Sequence, residues 1–255
     1  MKKILVRLFI ALVILIILGV VALSFFLDGA VKRGVETVGP MLTKVEVKLD
    51  SVNLSLLSGS GKLKGLFVGN PSGYKTPSAI QVGTASLALQ PSSVLSSKII
   101  VHSINLQAPE ITFETDLKAN NLSKILDNLQ SAMGGGNSTN AAAESKASRK
   151  LQVDDFLISG GKIHVSVSVL GGQSATVPLP EIHLTGLGQG PDGITVAELT
   201  KVVLQAIEKE ALQVSASAIT DLSKQATGLT KGLGGAATGA VDKVTKGLGG
   251  FLKKN

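Results

Sequence analysis

His102, His164, His183 and the adjacent pair Asp154-Asp155 are the residues of this 255-residue chain best suited to chemistry. A histidine beside a carboxylate can move protons near neutral pH, and closely spaced histidines and carboxylates can hold a metal. The spacing here argues against both. Each histidine stands singly in a strand-like run, and no two follow the His-x-x-x-His ligand pattern. Asp154 and Asp155 are successive residues of a strand pattern, so they point to opposite faces and cannot share a site. The chain has no cysteine, which excludes disulfides and thiolate chemistry. No Gly-x-Ser-x-Gly elbow or P-loop occurs, and Gly59-x-Gly61-x-x-x-Gly65 reads as a hairpin turn. The residues therefore predict no catalytic site, no cofactor and no metal.

The elements that hold these residues begin with an apolar segment. Leu8 to Leu27 (LFIALVILIILGVVALSFFL) is twenty residues without a charge, preceded by Lys2, Lys3 and Arg7. At ~1.5 Å per residue, such a helix matches the ~30 Å hydrocarbon core of a bilayer. The basic flank predicts a cytoplasmic N-terminus and a single-pass anchor, with the bulk of the chain on the far side. The competing reading is a cleaved signal, with Ala22-Leu23-Ser24 as the peptidase site. The length of the run and the bulky Phe25 and Phe26 beyond that site favour retention.

Val31, Val35, Val38 and Leu42 then follow helical spacing, weakened by Gly34, Gly39 and Pro40. Strand signals follow. Val45, Val47 and Leu49 alternate with Glu46, Lys48 and Asp50, and the phase flips at Asp50-Ser51 before Val52, Leu54 and Leu56. Such a flip requires a bulge or a break. Further strand-like runs occupy 62–68, 79–89, 99–106 and 110–114. Asn120-Asn121 caps a helix whose apolar face is Leu122, Ile125, Leu126, Leu129 and Met133. Strands resume at 151–158. Ile163, Val165, Val167 and Val169 then alternate strictly with His164, Ser166 and Ser168. A last run spans 176–187, where Pro178 and Pro180 indicate an edge. Thr195 and Glu198 form a capping box for a final amphipathic helix through Val196, Leu199, Val203, Ala206 and Ile207.

Residues 1–27 thus form the anchor and 28–133 the first part of the sheet, with its helix at 121–133. Residues 134–150 read as a flexible linker inserted between strands of one sheet. The remaining strands and the last helix fill 151–227. A Gly/Lys-rich tail occupies 228–255, in which Thr230–Gly235 recurs as Thr245–Gly250. The formal charge of +7 sits mostly at the two ends of the chain: six lysines from Ser223 onward face only Asp242. With no basic stripe or stacking aromatics in the middle, nucleic-acid binding is excluded.

Gly61-Lys-Leu-Lys-Gly-Leu-Phe-Val-Gly-Asn-Pro-Ser-Gly-Tyr74, Ile104-Asn-Leu-Gln-Ala-Pro-Glu-Ile-Thr-Phe113 and Asn121-Leu-Ser-Lys-Ile-Leu126 follow the anchor in order. Val153-Asp-Asp-Phe-Leu-Ile-Ser-Gly-Gly-Lys-Ile163 continues the series. Over residues 1–187 this order resembles the AsmA-like family of membrane-anchored periplasmic proteins, as a short member. The resemblance implies an inner-membrane protein with a periplasmic curved sheet, suspected of phospholipid transport or outer-membrane homeostasis. It carries over no catalytic residue. The late-embryogenesis-abundant (water-stress) β-sandwich shares the anchor and an Asn-Pro after a strand, over about residues 40–115.

The expected fold is a β-dominated α+β protein: an N-terminal transmembrane helix, then a curved antiparallel sheet forming an open half-barrel, with two helices. The expected function is phospholipid handling on an apolar sheet face, with the bilayer and acyl chains as partners and no identified protein partner. A non-catalytic structural or scaffolding envelope protein is the alternative. Ile163, Val165, Val167 and Val169 are the candidate lipid-facing residues. A topology reporter fused after Asn255 should be active only in its exported form, and cytoplasmic activity of that fusion would refute the predicted orientation.

Overall fold

The computed structural model describes residues 2–134, 149–170 and 173–231, without the side chains of most of 2–21, of Leu170 and of 225–231. The linker and the tail therefore lie largely outside the described residues. The first helix, α1 (Lys2–Thr43), is a single element of 42 residues, about 63 Å long at ~1.5 Å rise. The apolar run and the amphipathic stretch after it are continuous, and the helix carries Pro40 in its last turn. Nine of the twenty side chains of the Leu8–Leu27 run lie outside the described ones. Among the described residues no helix is long and apolar enough to cross a membrane, and 22–43 carries Asp28, Lys32, Arg33 and Glu36.

Ten strands form one curled, open half-barrel sheet. They are β1 (Val47–Lys48), β2 (Ser51–Ser55), β3 (Ser60–Gly69), β4 (Ser78–Leu89), β5 (Lys98–Gln107) and β6 (Glu110–Thr115), then β7 (Lys150–Ser159), β8 (Lys162–Val167), β9 (Gln173–Pro178) and β10 (Ile182–Leu187). The helix α2 (Asn121–Gly134) separates β6 from β7, and α3 (Val196–Lys231) follows β10.

The register shows that most of these strands are halves of longer, bent ones. β5 pairs with β7 from Lys98↔Lys150 to Gln107↔Ser159, and β6 pairs with β8 from Glu110↔Lys162 onward. The offset is the same on both sides of the break, so 98–115 and 150–167 run together through one bend. β1 and β2 likewise pair with β3 in one register, and β9 and β10 continue each other along β8 and β7. The bends fall at the same level in each. On one side of the bend a row of side chains crosses the sheet as Val47–Val68–Ile80–Ile111–Ile163–Val177. On the other side the rows are Val52–Leu63–Ala85–Leu106–Ile158–Ile182 and Leu54–Gly61–Leu87–Ile104–Phe156–Leu184. Asn53–Lys62–Ser86–Asn105–Leu157–His183 lies between those two rows and belongs to the opposite, more polar face.

Each strand changes phase at the bend, as the sequence predicts at Asp50-Ser51. Gly65 makes the change in β3 at φ +64, where a Cβ would lie 1.9 Å from Asp50 Oδ2. Ala108 (φ 46) and Gly160 (φ 66) mark the same level in their strands.

One expectation fails. The sheet is mixed, not antiparallel, because β7–β8 lies parallel to β5–β6. A parallel neighbour needs a long crossover, and α2 with the segment after it supplies one. Pro178 and Pro180 do lie at an edge, since β9 and β10 end the strand order.

Gly65→Ala should destabilise the protein by about 1–2 kcal/mol or more, from left-handed backbone strain and the clash with Asp50. Gly83 lies opposite it with open space around its Cβ position and no positive φ, so Gly83→Ala should be near neutral. Urea unfolding of the two variants measures the difference, and equal losses would contradict the crease.

Candidate functional site

Among the described residues, the apolar face of the sheet has a covered part and an open part. On the covered side, α3 packs on β8, β9 and β10, and α2 packs on β6. The helices also pack on one another. Asn128 Nδ2 donates to Thr43 O at 2.9 Å, tying α2 to α1, and Ser123 Oγ donates to Glu208, tying α2 to α3. Leu122, Ile125 and Leu129 of α2, with Leu204, Ile207, Ala211 and Ile219 of α3, close over this half. The capping box that starts α3 forms as expected: Thr195 N donates to Glu198 Oε2 at 2.7 Å, and Glu198 N donates to Thr195 Oγ1 at 3.1 Å. Hydrogen bonds from the Thr195 backbone and then its hydroxyl hold the Glu198 carboxyl below the ordinary carboxylate range. Of the sequence-predicted stripe of α3, Ile207 is buried and Leu199, Val203 and Ala206 pack against the core, while Val196 is 49% exposed.

This arrangement decides the candidate lipid-facing residues. Ile163, Val165 and Val167 share one face, as alternation requires, and all three are fully buried beneath the helices. They form protein core and offer no surface to a ligand. Val169 departs from the expectation. The strand ends at Val167, and Val169 sits in a short 3₁₀ turn (Ser168–Leu170), 48% exposed.

Beyond the bend the cover changes. Val52, Leu54, Leu63, Leu87, Ile104 and Leu106 are only half-buried. Among the described residues no helix lies along β3, β4 or β5. These six residues form a strip about 14 Å wide over four strands at ~4.8 Å spacing. At the edge of the strip, α1 stands against β2 and borders an open pocket of about 260 Å³ lined by Ser24, Phe25, Asp28 and Asn53 to Leu57. A second groove, near Lys62, Lys64, Ser51 and Ser86, opens on the polar face instead.

Sequence reasoning missed this strip. The signal was present in the period-2 spacing of Leu87 with Ala85 and of Ile104 with Leu106. What was lacking was any local sign of which half the helices would cover.

Asp154 and Asp155 point to opposite faces, as their spacing predicts, but the sheet sets a histidine beside each of them. His102 Nδ1 meets Asp154 Oδ2 at 3.0 Å on one face, and His183 bonds to Asp155 on the other. Hydrogen bonds from Gln152 and then His102 hold the Asp154 carboxyl below its ordinary range. His164 meets Thr176 Oγ1 at 2.9 Å. These are exposed cross-strand pairs. Among the described residues no cluster of three metal-ligating side chains occurs. Gly188-Gln-Gly190-Pro-Asp-Gly193, a dinucleotide-like spacing that sequence reading passed over, wraps back onto β7 through Leu151 N to Ile194 O at 2.7 Å. It follows an antiparallel edge strand and ends before the helix begins, so it cradles no phosphate.

The Asn-Pro loop has a structural role. Buried Glu114 accepts from Lys75 N at 2.8 Å, Thr76 N at 3.0 Å and Thr76 Oγ1 at 2.7 Å. Asn121 Oδ1 accepts from Glu114 N at 2.9 Å, and Asn121 Nδ2 donates to Asn70 Oδ1 at 2.8 Å and Thr112 O at 2.7 Å. The loop after β3 is thereby locked to the first turn of α2, the helix that covers β6.

In comparisons with known proteins, no family model matches the chain, and no curated protein sequence matches it.

Val167→Asp should unfold the protein or cost more than about 3 kcal/mol, because an unpaired charge would stand in a closed core. Ser166→Asn, on the other face and adding no charge beside Glu114, should cost less than about 1 kcal/mol. Thermal melts of both variants check this, and equal tolerance would refute the assignment of the covered face.

Proposed function

We propose that this is a membrane-anchored envelope protein that holds phospholipid acyl chains on the open half of its apolar sheet face. The observation that carries this reading is the half-buried strip Val52–Leu54–Leu63–Leu87–Ile104–Leu106, which continues rows that are closed by helices elsewhere. Three further features support it. Leu8–Leu27 has the length and composition of a bilayer span, led by Lys2, Lys3 and Arg7. The chemistry-bearing side chains are scattered as isolated surface pairs. The resemblance of 1–187 to the AsmA-like family points to the same inner-membrane location, periplasmic sheet and class of ligand.

Burial is worth ~0.8 kcal/mol per methylene, so ten methylenes against the strip would contribute on the order of 8 kcal/mol at full burial. The strip is open on one side, and the realised value falls below that. A load-holding role of this strength suits exchange better than permanent storage.

The alternative, a non-catalytic scaffold, draws on the fully buried half of the same face. The two readings are separated by mass spectrometry of phospholipid retained by the full-length protein after detergent extraction and gel filtration. Leu54→Gln with Leu87→Gln, two half-buried positions that are not cross-strand partners, should lower the retained phospholipid at least severalfold while shifting the melting temperature by only a few degrees. Retention unchanged by these substitutions, or no lipid retained by the unsubstituted protein, would reject the acyl-chain reading in favour of the scaffold.

A further inference from the structure

Where α1 leaves the sheet is fixed by three side chains spaced one turn apart. Asp28 Oδ1 accepts from Leu54 N at 2.8 Å, Lys32 Nζ donates to Asp50 O at 2.8 Å, and Glu36 Oε1 accepts from Leu49 N at 3.2 Å. Read from Glu36 back to Asp28, the helix runs along β1–β2 toward the β2–β3 turn. Ser24 and Phe25 then stand beside Leu56 and Leu57 of that turn. The apolar run of α1 therefore departs from the same end of the sheet at which the β2–β3 turn and the β4–β5 connection lie. These two loops are neighbours: Leu89 N donates to Gly59 O at 2.7 Å.

That end has an unusual surface. Leu57 is 84% exposed and Leu95 78%, with Phe25 at 74% and Phe26 at 71%. The loops 56–59 (LLSG) and 90–97 (QPSSVLSS) contain no charged residue. Beside them, Arg149 donates from its guanidinium to Val94 O, Lys98 and Lys150 begin the adjacent strands, and the 188–195 loop that packs on Lys98 adds one exposed acid, Asp192. At the opposite end of the sheet the connections carry Lys75, Asp116 and Lys118. Exposed apolar tips with a basic rim fit a bilayer interface containing anionic lipid.

We propose that the β2–β3 turn and the β4–β5 connection enter the interface of the same bilayer that holds α1, with Leu57 and Leu95 as the inserted side chains. The open apolar strip then ends at the leaflet, and an acyl chain reaches Leu54 and Leu87 without crossing water. This rests on the membrane-anchor part of the proposed function and adds to it the docking surface and its orientation.

The absence of cysteine makes the test direct. Single-cysteine variants Ile14→Cys, Leu57→Cys, Leu95→Cys and Ser72→Cys of the full chain carry an NBD label. They are reconstituted in phosphatidylcholine–phosphatidylglycerol vesicles with shallow or deep doxyl-lipid quenchers. All four sites are solvent-exposed in the fold, so the label perturbs little. Ile14 should be quenched by the deep probe, Leu57 and Leu95 by the shallow probe, and Ser72, at the far end, by neither. Quenching at Ile14 with none at Leu57 and Leu95 would overturn the docking surface while leaving the anchor intact. No quenching at Ile14 would overturn the anchor and the docking surface together.

Discussion

A β-sheet permits no independent choice of face: if one strand slips by one residue, every side chain beyond the slip turns over. This constraint organises the molecule. The long strands each change phase once, and an apolar row survives only because all of them change phase at the same level. If Gly65 alone bulged, Leu66 and Val68 would still face the helices, but Leu63 would face apart from Val52 and Ala85. The alignment of Asp50, Gly65, Ala108 and Gly160 therefore produces one continuous apolar face with a bend across it. Beyond the bend, α3 still covers the β7–β10 end of this face, and only the part on β2 to β5 is left half-buried among the described residues.

The second consequence concerns the edge strand. β1–β2 presents backbone groups that would otherwise invite another strand. Asp28, Lys32 and Glu36 of α1 satisfy three of them. The same bonds explain why α1 continues through Gly39 and Pro40, where propensity alone predicts interruption. Pro40 lies in the final turn, and tertiary bonds earlier in the helix set its course. Edge protection and the placement of the apolar run are thus one interaction: the residues that blunt the sheet also fix where the helix departs from it.

Much of this was legible in the sequence, and the failures have physical causes. Alternation located most of the strands, the Asp50-Ser51 phase flip announced the bend, and Asn120, Thr195 and Glu198 announced the helix starts. Parallel pairing of β5–β6 with β7–β8 was not legible, because alternation reports which face is apolar and says nothing about the neighbour. The candidate site was misplaced for a related reason. Ile163, Val165 and Val167 show the strictest alternation in the chain, and strict alternation marks the strand with one face fully buried. The half-buried rows of β3, β4 and β5 are broken by Gly61 and Gly83 and flanked by Lys62 and Lys64, so their pattern is weaker. An open apolar face is visible only once the helices are placed.

Each edge of the sheet carries a feature that hinders further pairing, by different means. On one side α1 bonds to the outward backbone groups of β1–β2. On the other, Pro178 at the end of β9 and Pro180 in the connection to β10 lack N–H donors. At ~4.8 Å between strands, a sheet six long strands wide extends only about 24 Å from edge to edge, and nothing in the edge chemistry favours adding more. A groove of that size cannot reach across a compartment. If the strip carries lipid, it must take it from a surface already within reach, and the course of α1 along β1–β2 leads to one such surface. On the proposed acyl-chain reading, the role of a single copy would be local: withdrawing a chain from an adjacent leaflet and presenting it beside the sheet.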